Sequence, residues 1–383
     1  MSIKTIKPRI LLVLHLPPPV HGAAMVGQYI KDSIEVNSKF DCTYINLSTS
    51  KTVDDIGKSS ISKYITFLRL YLNVLSDILH NRFNLCYITI NSKGSGFYKE
   101  MLIVAIVKLF RIPIVYHYHN KGIAENSNSW LKKMLYRFQL SKSRTILLSP
   151  LLYNDIEKFL PKDRVYYCPN GTPLTNQADA TIQKEKHKES NLLFLSNMMV
   201  SKGVYVFLEA CKILLERDVK FKVNFIGSWG DIKQSDFDSY INNNKLNEVA
   251  SYLGVKYDRD KEQCLQKADI FVFPTFYDKE CFPLVLLEAM QYGLPIATTN
   301  EGAIPEIVED GVNGFIVPKK DAQALADKIE YLIKNPEIAQ QMGKNGYEKY
   351  MNNYTLEIFE KNFVRTISQV IADFKEEKKK SEK

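Results

Sequence analysis

The sequence predicts an α/β protein of two domains, each built around a parallel β-sheet. Three observations lead to this fold class. Strand-like apolar runs alternate with helix-like segments along the whole chain. The length of 383 residues is enough for two full hydrophobic cores. A polar segment without strong periodicity, residues 170 to 190, interrupts the alternation near the middle, so we place the domain boundary there.

The expected strands are short runs that are too apolar for exposed helices, as is typical of parallel strands covered on both faces. In the first domain these runs are residues 9–14, 42–47, 85–90, 112–117, 145–148 and 164–168. In the second domain they are residues 191–195, 221–226, 250–253, 269–273, 295–298 and 314–317.

Domain boundaries follow from this alternation. We expect a first domain over residues 1–172, a second over residues 173–354, and a C-terminal helical segment over residues 355–383. That last segment ends in K-E-E-K-K-K-S-E-K. Because such a charged terminus has little apolar surface to bury, we expect it to be frayed.

Composition narrows the class of protein. The hydrophobic content of 45% is typical of a globular protein, and no apolar run approaches the roughly 20 residues needed to span a bilayer. The N-terminus leads directly into the first strand without a signal-peptide pattern, so we expect a cytoplasmic protein. Six cysteines are scattered without C-x-x-C pairs or nearby histidine clusters, which predicts neither a metal site nor a disulfide framework.

Glu280 and Glu288 indicate a ligand site. They flank C-F-P-L-V-L-L, which follows the expected strand at 269–273. Pro283 suits the first position of a helix, and Gly293 can end that helix in a left-handed conformation. Because a helix that begins at the carboxyl end of a parallel strand directs its free amides at anionic ligands, we expect a phosphate at the helix start. Glu280 would lie in the loop and Glu288 about five residues, or roughly 7 Å, into the helix, so the two carboxylates could bind different parts of one elongated ligand, each suited to vicinal hydroxyls.

Residues 269 to 318 resemble the nucleotide-sugar-binding half of glycosyltransferase family 4. The resemblance rests on D-I-F-V-F-P, the two glutamates, E-A-M-Q-Y-G-L-P-I-A, E-G-A-I-P-E-I-V and D-G-V-N-G-F-I-V-P. It implies the GT-B fold, in which two Rossmann-like domains with parallel sheets face each other across a cleft. It also implies retention of anomeric configuration, an acceptor-binding first domain, and a C-terminal helix that crosses back onto that domain.

The resemblance assigns roles in the second domain. Glu280 would contact hydroxyls of the donor sugar and Glu288 the ribose. In L-F-L-S-N-M-M-V-S-K-G-V, Lys202 matches a lysine that binds the donor diphosphate, where a cation stabilises the leaving group. Asn197 stands where many members have arginine, which questions bidentate phosphate binding there. The expected donor-binding set is Gly22, Ala23, Asn197, Lys202, Cys281, Phe282, Pro283, Leu284, Val285 and Glu288.

In the first domain, the resemblance points to two loops at strand ends. The sequence P-P-P-V-H-G-A-A-M matches a glycine turn that contacts phosphate, and this role falls on Gly22 and Ala23. After I-P-I-V-Y, His119 matches a histidine near the reacting sugar, and His117 is the weaker candidate. An unperturbed imidazole could either hydrogen-bond the sugar or support charge near the anomeric carbon.

The function that this resemblance implies is transfer of a sugar from a UDP- or GDP-sugar to a hydroxyl of a glycan or lipid-linked acceptor, without metal or other cofactor. The expected catalytic residues are Glu280, His119 and Lys202. Bacterial surface polysaccharide synthesis is the expected setting.

Charge is uneven along the chain. Residues 1 to 175 hold 23 Lys and Arg and 11 Asp and Glu, a net charge of +12, and the remainder carries −4. Much of the positive charge lies in amphipathic stretches at 60 to 82 and 130 to 144. Such stretches can contact an anionic membrane surface or be ordinary helices with solvated faces. Nucleic acid is disfavoured, because no binding motif accompanies the charge.

Parts of the sequence also suggest four other functions. A glycoside hydrolase also needs two carboxylates, but a helix N-terminus favours the ionised form of a glutamate over the protonated acid. A dinucleotide-dependent dehydrogenase is suggested by Gly94-Ser95-Gly96 after a strand, but Lys99 stands where the third glycine is required. A non-catalytic sugar-nucleotide-binding protein remains, as does a transferase that acts on a small soluble acceptor.

Overall fold

The computed structural model describes residues 7–48, 61–175 and 189–382. The chain forms two compact units, Met1–Asn170 with Leu356–Lys383, and Gly171–Thr355. Most of the polar segment expected as a linker, residues 176–188, lies outside the described ranges.

The first unit is built on a six-stranded parallel sheet with strand order β2-β1-β3-β4-β5-β6. Its strands are β1 (Arg9–Leu14), β2 (Asp41–Asn46), β3 (Leu85–Thr89), β4 (Ile114–Tyr118), β5 (Arg144–Leu147) and β6 (Val165–Tyr167). Its helices are α1 (Gly22–Asp32), α2 (Ile34–Lys39), α3 (Ile61–His80), α4 (Gly94–Leu109), α5 (Ile123–Asn126) and α6 (Trp130–Leu140).

The second unit is also built on a six-stranded parallel sheet, but its strand order differs and is β12-β11-β10-β7-β8-β9. Its strands are β7 (Ser190–Leu195), β8 (Phe221–Ile226), β9 (Ala250–Tyr252), β10 (Ile270–Phe273), β11 (Ile296–Thr299) and β12 (Gly314–Val317). Its helices are α7 (Val204–Glu216), α8 (Gln234–Asn243), α9 (Asp258–Lys267), α10 (Leu284–Gln291), α11 (Ile304–Ile307), α12 (Ala322–Lys334) and α13 (Pro336–Asn353).

The strand predictions are confirmed, each within two residues at either end. Every residue of β3, β4, β5, β10 and β11 is buried. The central strands therefore read as continuous apolar runs because helices cover both of their faces.

A last helix, α14 (Leu356–Ser381), belongs to the first unit. It packs on α2, and its Phe363 ring meets Tyr87 edge-on at 5.2 Å between ring centroids. Arg144 of β5 forms an ion pair with Glu377 at 2.9 Å. The expectation of a frayed tail is wrong up to Ser381. Pairs four residues apart, such as Glu376 with Lys380 at 2.7 Å, support the helix, and its basic end suits the negative end of the helix dipole.

Among the described helices, none combines the length and the apolar character that a membrane span requires.

Candidate active site

Lys202 lies in the loop after β7, in a short turn of 3-10 helix over Val200–Lys202. Gly203 follows with φ of +88°, a left-handed conformation that favours glycine. A Cβ on Gly203 would come within 2.2 Å of the carbonyl oxygen of Pro274. The Phe276 amide also donates to the Ser201 carbonyl at 2.8 Å. These contacts hold the lysine loop directly against the loop that follows β10.

Glu280 lies in that second loop, and its carboxylate accepts a hydrogen bond from the Lys202 ammonium. The residue is only 8% exposed. Its position is fixed by Gly302, where a Cβ would come within 2.3 Å of the Glu280 carbonyl oxygen. The Lys202 ammonium also lies 4.7 Å from the ring centroid of Tyr277, a cation–π distance. Two residues that the sequence placed in one site are thus in direct contact.

Helix α10 begins at Leu284, and Pro283 is its N-cap. The expected first helical position for Pro283 is therefore off by one residue. The cause is that Pro283 has a helix-like φ of −69° but an extended ψ of 117°. The first amides of the helix then belong to Leu284 and Val285, as the missing N–H of proline requires. Gly293 ends the following turn with φ of +58°, as expected.

Glu288 lies on the second turn of α10 and pairs with Lys261 of α9 at 2.9 Å. Sequence reasoning missed Lys261, because nothing in the local pattern of α9, the helix that precedes α10, marks one lysine among several.

Cys281 and Phe282 are both buried. The Cys281 carbonyl accepts from the Ala303 amide at 2.7 Å, and the Phe282 ring packs on Tyr354 at 5.7 Å between ring centroids. Their side chains belong to the core of the second unit. Any contact with a donor at these two positions therefore comes through the backbone.

A third pair of opposite charges lies at the same edge of the sheet. Glu301, directly after β11, is 3% exposed and pairs with Lys319, after β12, at 2.6 Å. A buried carboxylate next to a strand end was visible in the sequence but was not singled out. The carboxyl edge of the second sheet therefore combines three lysine–glutamate pairs with a helix N-terminus, which suits a ligand with both phosphate and hydroxyl groups.

Asn197 follows β7 and is partly exposed. Its neighbour Met198 donates its amide to the Ser228 carbonyl at 2.7 Å, which joins this loop to the end of β8.

In the first unit, His119 directly follows β4. Both of its ring nitrogens are buried and have no hydrogen-bond partner among the described residues. Burial first, and then the nearby His15 and His21, lower the pKa of His119 to about 3. The expectation of an unperturbed imidazole is therefore wrong. A neutral ring can exchange hydrogen bonds with hydroxyls, but it supplies no positive charge.

His117 lies within β4, and its Nδ1 is 2.7 Å from the Tyr87 hydroxyl. Its ring lies 4.3 Å from that of His119 between centroids. Burial holds the pKa of His117 well below its usual range. This histidine is tied to the core more closely than His119, consistent with its place as the weaker candidate.

The sequence did not single out Glu100 of α4, which is 4% exposed. Its carboxylate accepts from the Asn91 amide at 2.7 Å and from the Asn91 side chain at 2.5 Å. Asn91 in turn accepts from Asn120 at 3.1 Å. Burial raises the pKa of Glu100 to about 7, although the bonds from Asn91 oppose the shift. This chain of contacts fixes Asn120, the residue after His119.

Gly22 and Ala23 form the first turn of α1. His21 is the N-cap, and its Nδ1 accepts from the Ala24 amide at 3.4 Å. The amides of Gly22 and Ala23 lie at a helix start, as the expected phosphate contact requires.

Comparison with known proteins shows which family part of the chain is similar to, and it shows the fold. The family model described as "Glycosyl transferases group 1" matches residues 176–349. The amylovoran biosynthesis glycosyltransferase AmsK of Erwinia amylovora is 33% identical over 197 residues, which cover 46% of this chain and 47% of AmsK. The capsular polysaccharide biosynthesis glycosyltransferase CapM of Staphylococcus aureus is 28% identical over 46% of each chain. The chain thus spans about half the length of these curated relatives.

Two solved structures cover nearly the whole chain. A glycosyltransferase from Rickettsia africae has a TM-score of 0.75 at 16% identity, covering 95% of this chain and 99% of its own. Anabaena Alr3699/HepE in complex with UDP has a TM-score of 0.72 at 16% identity, covering 94% and 100%. The expected GT-B class, with two Rossmann-like parallel-sheet units, is confirmed. Residues 176–349 are thus similar in sequence to glycosyl transferases of group 1.

Proposed function

We propose that this chain is a retaining glycosyltransferase. It moves a sugar from a UDP- or GDP-sugar to a hydroxyl of a glycan or lipid-linked acceptor, in bacterial surface polysaccharide biosynthesis, at the cytoplasmic face of the membrane. The observation that carries the proposal is the ion pair between the half-buried Lys202 and the buried Glu280, just before the start of α10. The names of AmsK and CapM, both biosynthesis glycosyltransferases, support the setting. The UDP complex of the Anabaena structure supports the donor class.

Different residues bind different parts of the donor. Lys202 and the amides of Leu284 and Val285 bind the diphosphate, Glu288 binds the ribose, and Glu280 with His119 positions the sugar. As the bond from the anomeric carbon to the phosphate oxygen breaks, the acceptor oxygen bonds to that carbon and its proton passes to the departing diphosphate. Lys202 stabilises the charge that grows on the leaving group, so the reaction proposed here uses no metal ion.

A panel of nucleotide-sugars tests the donor. A ligand at 100 times its dissociation constant stabilises the folded chain by about 2.7 kcal/mol, so the correct donor raises the melting temperature above that of its competitors. The donor is then incubated with and without a glycan acceptor. Acceptor-dependent release of nucleoside diphosphate, with retained configuration by proton NMR, supports the proposal. Binding without turnover supports the non-catalytic alternative, and an inverted product contradicts retention.

A further inference from the structure

Helices α3, α4 and α6 lie side by side on one side of the first sheet. The connections β2→β3, β3→β4 and β4→β5 run in the same direction along the sheet, and right-handed crossovers place their helices on one side. Contacts agree with this arrangement. The Tyr71 hydroxyl donates to the Lys99 carbonyl at 3.1 Å, and the rings of Phe97 and Tyr136 lie 4.9 Å apart. Helices α1 and α2, on the connection that runs the opposite way, lie on the other side.

Helix α3 has two apolar stripes, although packing on a sheet requires only one. The first consists of Leu70, Val74 and Ile78, all at most 7% exposed. The second lies on the opposite face and consists of Ile65, Leu68, Leu72 and Leu79, which are 49%, 58%, 55% and 64% exposed.

The outer faces of α4 and α6 continue this apolar surface. Leu109 and Trp130 are 78% and 76% exposed. Of the 24 large apolar side chains exposed in the described ranges, 12 lie on these three helices or directly after α4. We call these 12 residues the outer apolar face: Ile65, Leu68, Leu72, Leu79, Tyr98, Leu102, Leu109, Phe110, Trp130, Leu131, Met134 and Phe138. A concentration of this kind marks an interaction surface.

The charge around the outer apolar face is basic. Where the structure describes the side chains of these helices and of the residue pair that follows α4, the Lys and Arg residues are Arg69, Lys99, Lys108, Arg111, Lys132, Lys133 and Arg137. Of the acidic residues on the same described elements, Asp77 is half-buried and Glu100 is buried. Lysine is depleted at protein interfaces. An isologous dimer through this face would also bring two basic surfaces together.

We propose that the outer apolar face docks on an anionic lipid bilayer, with α3, α4 and α6 lying in the interfacial plane. Exposed Leu, Phe and Trp side chains beside Lys and Arg are the combination that binds membrane interfaces. This docking rests on the proposed function in one respect only. The purpose of docking would be to bring the first unit to a lipid-linked acceptor. Docking itself requires neither a donor nor an acceptor.

Vesicle flotation of the full chain, without nucleotide-sugar, tests the docking. The chain floats with phosphatidylcholine vesicles that contain phosphatidylglycerol, floats far less with pure phosphatidylcholine, and is released by high salt. The triple variant Lys132→Glu, Lys133→Glu, Arg137→Glu lowers the partition coefficient by at least about 100-fold. Leu109→Ser and Trp130→Ser each lower it by about 10-fold.

Matched controls lie on the other side of the sheet. Ile34 of α2 is 86% exposed, and Lys39 ends the same helix, so Ile34→Ser and Lys39→Glu leave flotation unchanged. Equal losses in the controls, or a wild type that ignores anionic vesicles, overturn the docking. The docking is also overturned if analytical ultracentrifugation shows a concentration-dependent dimer that the variants of the outer apolar face abolish. Nucleotide-sugar binding is measured in parallel. Flotation without donor binding contradicts the proposed function alone, and donor binding without flotation contradicts the docking alone.

Discussion

The carboxyl edges of the two sheets differ in charge. The second unit gathers three lysine–glutamate pairs there, Lys202 with Glu280, Lys261 with Glu288, and Lys319 with Glu301. The first unit gathers His15, His21, His117 and His119, whose pKa values are all lowered by burial, and Glu100, whose pKa is raised. One edge thus has fixed charges for an anionic ligand, and the other has neutral groups that can both donate and accept hydrogen bonds.

This difference shows that two six-stranded parallel sheets of one chain can support two kinds of chemistry. A diphosphate needs cations and free amides. A sugar hydroxyl needs donors and acceptors without a net field, because a buried unpaired charge is costly. Each variant predicted below changes a residue at one of these two sheet edges.

The largest effect is expected at Lys202. If its ammonium stabilises the departing diphosphate, Lys202→Ala should lower kcat by about 10²–10³-fold, and by more than it raises KM for the donor. Steady-state kinetics with varied donor measure the split. Lys212→Ala is the control, since Lys212 of α7 pairs only with its helix neighbour Glu209 among the described contacts of its side chain. A pure KM effect would assign Lys202 to ground-state binding.

The second largest effect is expected at Glu280 and Glu288, and it should distinguish the roles of their carboxylates. Glu288→Ala should weaken both the free nucleoside diphosphate and the intact donor by about 10-fold or more, because the ribose is common to both. Glu280→Ala should weaken the donor alone. Calorimetric titrations of both ligands decide, and equal losses of nucleoside diphosphate in the two variants would contradict the division. Lys261→Ala tests whether the ion pair positions Glu288, and should give a smaller loss of the same kind.

The carboxyl edge of the first sheet, which we call the neutral edge, should make the stability of the folded chain sensitive to acid. The pKa of His15 is lowered from 6.5 to about 3, first by burial and then by His21. Below pH 6.5 the unfolded chain therefore binds a proton that the folded chain does not, and stability falls as pH falls. Glu100 acts in the opposite sense. Its folded pKa of about 7 exceeds the ordinary 4.5, so its contribution is lost as pH rises between those values.

Urea unfolding at about pH 7.5 and about pH 5.5 tests this. His15→Gln should remove about 1 kcal/mol of the acid-induced loss in the free energy of unfolding. The matched variant is His80→Gln, at the exposed end of α3, which should leave the loss unchanged. If His15→Gln is as acid-sensitive as the wild type, the buried neutral edge does not set this pH dependence.

The strands could be predicted because burial on both faces leaves a mark in the sequence itself, as in the apolar run Ile270–Phe273. Glu280 and Glu288 could be picked out as candidates because a strand end and turn residues bracket them, whereas Lys202 could be picked out only because its segment resembles glycosyltransferase family 4. The partner of Glu288 could not, since nothing in the local pattern of the preceding helix marks Lys261, which lies 27 residues earlier in the chain. The shifted pKa of His119 depends on burial by distant residues, and the exposed side of Leu109 depends on which face of α4 meets the sheet.

The smallest effect concerns Asn197, which departs from the arginine expected at that position. An asparagine donates only neutral hydrogen bonds, whereas a guanidinium can bind phosphate oxygens in a bidentate manner. Because the side chain is partly exposed, solvent screens any gain, so Asn197→Arg should lower the donor dissociation constant by only about 2- to 5-fold. Calorimetry with the donor and with nucleoside monophosphate measures it. If affinity rises for the donor but not for the nucleoside monophosphate, position 197 lies beside the distal phosphate, at the carboxyl edge of the second sheet. No gain for either would mean that Lys202 and the α10 amides already satisfy the diphosphate.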